Sequence, residues 1–428
     1  MAFRAFIAVL ATAASLVVAG AASAQMRGHG GPVRGVAVTP DGALAISGGY
    51  ARAPRIRPIQ QGRAHSDLRL HDGSDNAVAT LPDGRFATAG EDGRIALWRL
   101  GRPEPETVIK AHDAPIAGLA VAPDGGAIAS ASWDGTARVT PLDGSAATVF
   151  AGHQGNVNGV AFSADGRTLY TAGYDATLRF WNRSGAPTRS ITTPTALNAV
   201  AVAGDRIVVG GADGQVRIFG PDGAAAGEGE AIGAPIVSLA AAPDGRRVAA
   251  AGARGAVVVA DAGSGRTLAT LVGPGLPVWS VTFHPDGQRL VTGGGDRLVR
   301  QWKAATGEPI GAFTVAQPGN GLEAFGEDRG AQVFRACVAC HALRPDDGER
   351  AGPTLHGVMG RRIASVPGYS YSPALRGMDI VWTPETVARL FEIGPNAYMP
   401  GTKMPEQTIN AAEDREALVR FLERVTRP

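Results

Sequence analysis

The sequence predicts a multidomain protein: an all-β, seven-bladed β-propeller followed by a small all-α domain. Three observations carry that prediction. A turn dipeptide recurs about every 41 residues through the first three quarters of the chain, which is the spacing of units with four short strands each. Beyond residue 321 the apolar periodicity changes from that of strands to that of helices. Both cysteines fall after that change, within the single stretch "CVACH", Cys337 to His341.

The first 24 residues stand apart from either domain. Arg4 precedes an apolar run from Ala5 to Ala19, and Ala22-Ser23-Ala24 is a small-residue cleavage site, so residues 1–24 read as a secretory signal peptide. The run is shorter than the ~20 apolar residues of a spanning helix. The mature protein is therefore expected to begin near Gln25, with no membrane span, after export to the periplasm of a Gram-negative bacterium. A formal net charge of +2 and the lack of any block of like charge argue against nucleic acid as a partner. Two cysteines in an exported chain are too few for a disulfide-stapled scaffold.

Composition agrees with many short strands joined by turns. The chain has 59 Gly and 29 Pro beside 44% hydrophobic residues, and the glycines recur at ordered places, which disfavours disorder. The turns lie at Asp41-Gly42, Asp83-Gly84, Asp124-Gly125, Asp165-Gly166, Asp244-Gly245 and Asp286-Gly287, with an inverted Gly204-Asp205 in the gap. Successive Asp positions differ by 42, 41, 41, 40, 39 and 42. In "GNVNGVAFSADGRTLYTAGYDATLRFW" the apolar positions Val157, Val160 and Phe162 mark a first strand. Asp165-Gly166 turns the chain, Leu169 to Ala172 return, and Thr177 to Trp181 follow the next turn. That second turn recurs at Glu91, Trp133, Ala212 and Gly295, and aromatics close the third strand at Trp98, Trp181, Phe219 and Trp302.

These units resemble the WD-repeat propellers, over roughly Met26 to Val315, and the propeller is assigned to residues 25–315. The family's blade-opening Gly-His is matched at Gly28-His29 and Gly152-His153, and loosely at Ala111-His112. Its Trp-Asp signature is eroded, because Trp98, Trp181 and Trp302 precede Arg, Asn and Lys. The resemblance implies structural roles for His29, His112 and His153, while His65 and His71 flank the outer strand of the first blade. No pair of histidines outside the "CVACH" motif has metal-ligand spacing, so a docking surface is the expected use of the ring.

"GEPIGAFTVAQPGNG", Gly307 to Gly321, can supply a closing outer strand and then a linker at 316–321. Helical spacing occupies Leu322 to His341, Thr383 to Phe391 and Glu413 to Val425, and Thr383-Pro384-Glu385 is a capped start. The second domain is assigned to residues 322–428. Its Cys-x-x-Cys-His motif is a covalent haem attachment signal. Cys337 and Cys340 can add to the two vinyl groups on one side of a porphyrin, leaving His341 under the iron. A thioredoxin-like pair would need a strand-helix context, and a zinc site two further ligands.

The whole of this domain resembles a class I cytochrome c. Gly330, Phe334, "GPTLHGVMGR" from Gly352, "PGYSY" from Pro367, Trp382 and "YMPGTKM" ending at Met404 fall in the family's order. The resemblance implies one covalent haem c per chain, with His341 and Met404 as axial ligands in preference to Met359, Met378 or Met399. It implies that Pro353 offers its carbonyl to His341 and that Arg361, Tyr371, Trp382 and Thr402 surround the propionates. Contacts between the first and last helices are expected from Phe334, Leu418, Phe421 and Leu422. Two departures stand out: Phe391 where the family often has tyrosine, and Leu375 where it often has asparagine. A steering ring of lysines is absent too, since Lys403 is the one lysine after residue 321.

The function expected on these grounds is single-electron transfer through a His/Met haem, with the propeller docking a redox partner protein. The alternative is an oxidoreductase whose propeller holds a second cofactor or substrate. Cytochrome cd-type nitrite reductases are built that way, but on eight blades that ligate a second haem, whereas this chain counts seven and has a single attachment motif. A third reading, a haem sensor that alters propeller binding, has no feature of its own in its favour.

Overall fold

The computed structural model describes residues 25–26, 29, 31–50, 54–59, 66–68, 70–272, 276–311, 322–335, 337–338, 341–344, 352–367, 369, 371, 373–400, 402, 404, 408–409 and 411–427. The signal segment, the linker, Gly28, His65, Cys340 and Lys403 lie outside them.

Seven four-stranded antiparallel sheets form the first domain, and six of them are built from consecutive strands. The fourth blade is representative: Val157–Phe162, Thr168–Gly173, Thr177–Asn182 and Pro187–Thr192, running from the axis outward. Its burial falls in the same order, from a mostly buried inner strand to an exposed outer one. Each inner strand packs against those of the two adjacent blades, and Val33–Val38 meets Val278–Phe283, so the ring is closed. Between the sheets lie separate apolar clusters, such as that of Phe150, Val157, Leu169 and Trp181. A blade's face is thus buried only by its neighbour, which is why the units are stable together and not singly.

Closure differs from the sequence expectation. Among the described residues the outer strand of the last blade is Gln25–Met26, which pairs with Arg300 and Val299, and not a segment of 307–311. Pro309 makes one isolated bridge to Trp302. A proline lacks the amide that a ladder needs, whereas Met26 brings an apolar side chain that is fully buried beside Val33, Val291 and Val299. The two ends of the ring are therefore fastened within one sheet.

A β-bulge at the second residue of every inner strand is the other feature that periodicity did not reveal. Register slips between Val33 and Gly35, Asp75 and Ala77, Ile116 and Gly118, Val157 and Gly159, Leu197 and Ala199, Ile236 and Ser238, and Val278 and Ser280. Bulges re-aim side chains. Here Asn76, Asn158 and Asn198 use that freedom to donate from Nδ2 to the carbonyls of Ile116, Leu197 and Ile236 in the next blade, at 3.2, 3.1 and 2.9 Å. The bulged Arg34 lies over the ring of the bulged Trp279, 4.7 Å from its centroid.

Buried polar side chains tie loops to strands in the second, third and fourth blades. In the fourth, His153 Nδ1 meets Asp175 at 2.9 Å and its Nε2 meets Thr171 Oγ1 at 2.7 Å, while Trp181 Nε1 donates to the same hydroxyl at 2.8 Å. His112, Asp134 and Ser130 repeat the arrangement without a tryptophan. His71, Asp92, Thr88 and Trp98 complete a full set in the second blade. His71 therefore belongs with the structural histidines and does not merely flank an outer strand. Its separation of 21 residues from Asp92, against 22 for His112 and Asp134, was the available signal. Asp175→Ala removes the acceptor for His153, Thr177 and the Gln154 amide at once. The expected cost is about 2–3 kcal/mol, read as a lower urea midpoint of the full-length protein.

The second domain contains helices α1 (Arg329–Phe334), α2 (Pro373–Arg376), α3 (Pro384–Ile393), α4 (Pro395–Tyr398) and α5 (Ala412–Val425). Among the described residues helix is sparser than an all-α reading implies, because α2 and α4 are single turns. Thr383 caps α3 in a capping box with Thr386, and Pro384 occupies the first turn. Phe334, Leu418, Phe421 and Leu422 are buried where α1 crosses α5, with the rings of Phe334 and Phe421 5.7 Å apart. Phe391 and Leu375 are buried in the same core.

Candidate functional site

Helix α1 aims the chain at the site. Asp328 caps it by accepting from the Ala331 amide at 2.9 Å, and after Phe334 the backbone keeps turning. The amide of Cys337 donates to Phe334 O at 2.8 Å, and that of His341 to Cys337 O at 3.0 Å. Cys337 and His341 are thereby held one helical turn apart, Cys337 buried in the core and His341 half-buried.

A second segment, 353–361, fixes the imidazole. His341 Nδ1 lies 2.8 Å from Pro353 O. A carbonyl can only accept, so this nitrogen carries a proton, and the neutral tautomer compatible with the contact is the one with its lone pair on Nε2. The segment is braced from three sides. Leu355 N donates to Ala342 O at 2.8 Å, Gly357 N donates to Thr426 O at the end of α5, and Arg361 donates to Thr354 O at 2.6 Å and to His356 O at 2.8 Å. Arg361 thus acts in this structure as a clamp on the turn that orients His341, a task its place in the sequence did not disclose.

The remaining candidates line the same core. Trp382 is bound through its backbone to the 360–361 turn, its amide donating to Arg361 O at 2.9 Å and its carbonyl accepting from Gly360 at 2.7 Å. Tyr371, Trp382, Met359, Met378 and Met404 pack against the core as half-buried side chains. Met399 is different, being buried at 5% exposure. Thr402 is half-buried, donates its amide to Met399 O at 3.0 Å, and accepts from the Met404 amide at 3.1 Å. Burial lowers the Arg361 pKa, an effect opposed by the nearby Tyr371, and burial raises the Tyr371 pKa. A cation and a phenol are thus kept close together in a poorly solvated place.

The propeller offers less chemistry. A cavity of about 450 Å³ lies beside the ends of the inner strands of the third to sixth blades, among Val121, Phe162, Val202, Pro243 and Asp244. Its one charged lining residue, Asp244, is engaged by Arg247 at 2.8 Å. Among the described residues no group of three or more His, Cys, Asp or Glu is placed to hold a metal ion. Two aromatics on neighbouring blades are open to solvent, Trp133 at 45% and Tyr174 at 65% exposure. The Trp133 indole is steadied by Asn158 Oδ1 at 3.2 Å.

Fold and site together define the class: a WD-type propeller joined to a small helical domain with a Cys-x-x-Cys-His turn. The profile of the family described as "WD domain, G-beta repeat" matches residues 20–52, 103–140, 144–182 and 265–303. The last quarter is similar to cytochrome c of Cochliobolus lunatus, 39% identical over 108 residues that cover 25% of this chain and 99% of that protein. It is likewise 40% identical to cytochrome c of Arabidopsis thaliana over 100 residues, covering 23% of this chain and 88% of the relative. Cytochrome c 2.1 of Caenorhabditis elegans is 38% identical over 99 residues, covering 22% and 86%. Through this C-terminal region the chain belongs to the cytochrome c family.

The residues present fit that family's prosthetic group by the chemistry of their donors. A buried thiol, an imidazole held through Nδ1 by a carbonyl, and a half-buried thioether lie at one apolar core, with a guanidinium and a phenol beside it.

Proposed function

We propose that this protein is an exported, periplasmic electron carrier: one haem c is attached through Cys337 and Cys340, ligated by His341 and Met404, and the propeller docks a redox partner. The bond from His341 Nδ1 to Pro353 O is the observation that carries the reading, because it orients the ring and holds a proton on Nδ1, as a ligand bound through Nε2 requires. When bound, the haem supplies a one-electron couple, and a His/Met ligand set favours the reduced state. The chain supplies the rest. Cys337 and Cys340 anchor the porphyrin, and Pro353, held by the Arg361 clamp, keeps His341 from rotating. Tyr371, Trp382 and Thr402 are assigned to the propionate side, and the apolar core keeps water from the metal. Support for docking comes from the ring architecture and from Trp133 and Tyr174, aromatic side chains of the kind that anchor interfaces.

The test is a visible spectrum and redox titration of the exported full-length protein, with cofactor extraction on the same sample. Haem that resists acid-acetone extraction, one per chain and with one reversible one-electron wave, is the expected result. A second chromophore or metal in stoichiometric amount would sink the carrier reading and turn the search to the propeller.

A further inference from the structure

The second blade opens on a residue that the other six do not tolerate. Their inner strands begin with Val33, Ile116, Val157, Leu197, Ile236 and Val278, all apolar and buried, whereas the second begins with Asp75, whose exposure is 0%. Neither carboxylate oxygen of Asp75 has a hydrogen-bond partner among the described residues, and the adjacent Ser74 hydroxyl is buried in the same condition. From the preceding loop, His71 Nε2 approaches Asp75 Oδ1 to 3.9 Å, too far for a hydrogen bond, and its ring nitrogens already meet Thr88 and Asp92. Asp92 and Glu91, on the turn after the second strand, face Asp75 with like charge. From the first blade glycine backbone presses on it: a Cβ built on Gly48 would lie 2.7 Å from Asp75 Cβ, and the Gly49 amide favours an anion there.

We propose that Asp75 is a proton-binding site in the seam between the first and second blades, holding its proton in the folded propeller at a pH where the unfolded chain has already released it. An anion buried with only the Gly49 amide and His71 to favour it is costlier than a neutral carboxyl of the same shape.

The sign of the effect follows. Burial, reinforced by Asp92 and Glu91 and opposed by His71, pushes the Asp75 pKa from 3.8 up to about 7. Between those values the folded state holds a proton that the unfolded chain has lost. Stability conferred by this group is therefore highest at the acid end and falls as pH rises through that window, levelling above it.

Urea unfolding of the full-length protein, followed by circular dichroism from about pH 5 to about pH 8, tests the proposal in wild type, Asp75→Asn and Asp75→Val. One proton accounts for up to tenfold in the unfolding constant per pH unit. Wild type is expected to lose stability across the window, and both variants to lose that component of the slope. Identical slopes in all three would overturn the proposal. If neither variant folds, infrared difference spectra of the wild type decide. Among the described Asp and Glu with a resolved displacement Asp75 alone is displaced upward, so a protonated-carboxyl stretch that persists above about pH 5.5 and fades by about pH 8 is the expected signature. Its absence would refute the assignment.

Discussion

Gly330→Ala is expected to break the second domain apart at its central helix crossing. A methyl group at this position would lie 2.2 Å from Ala417 O and 2.5 Å from Phe421 Cβ, both fixed parts of α5 and not the far ends of flexible side chains. Rotamer changes cannot relieve that clash, so α1 and α5 must separate. Separation would expose the buried faces of Phe334, Leu418, Phe421 and Leu422, together with the edge-to-face contact of Phe325 on Phe421 at 5.1 Å. Overpacking of this kind costs on the order of 3 kcal/mol or more. Because Cys337 follows α1 directly, the thiol and His341 would move with it. Thermal unfolding of the full-length protein, followed at the haem absorption and by circular dichroism, measures the effect. Gly377→Ala is the control, since its added methyl meets nothing nearer than Ala374 O at 3.7 Å. Equal melting of the two variants would show that the helices are not in contact as described.

The second large effect is expected at Met404. On the proposed ligand set, Met404→Ala removes the thioether that stabilises the reduced metal, and the potential falls by on the order of 0.1 V or more within the ~0.8 V that axial ligands span. The charge-transfer band that marks methionine on oxidised iron disappears, and added imidazole binds where it did not before. Helix packing is not the cause, because Met404 is half-buried at the margin of the core and its loop is held by Thr402 and the buried Met399. Met359→Ala and Met378→Ala, which pack against the same core, are expected to keep the band. Loss of the band in either of these instead of in Met404→Ala would reassign the ligand.

The two domains differed in how openly the chain declared them. The propeller was legible because each blade repeats one hairpin pattern, and a pattern repeated seven times survives local erosion such as the missing Asp after Trp98, Trp181 and Trp302. The helical domain was legible for the opposite reason. Its attachment motif is short but chemically demanding, and Cys337 to His341 can serve it only at that spacing.

Contacts between residues far apart in the chain stayed hidden. Periodicity specifies a strand and its inward face, but not which strand will pair beyond it, so nothing in residues 25 and 26 announced that they close the ring against Val299 and Arg300. His71 gained its partners from a turn 21 residues on, and Arg361 its task from the carbonyls of a folded-back turn. Asp75 reads as an unremarkable polar residue at a strand start until the neighbouring blade covers it. Hydrophobic spacing and a covalent motif are local and are written along the chain, whereas burial, closure and the partner of a hydrogen bond exist only once distant segments share one volume.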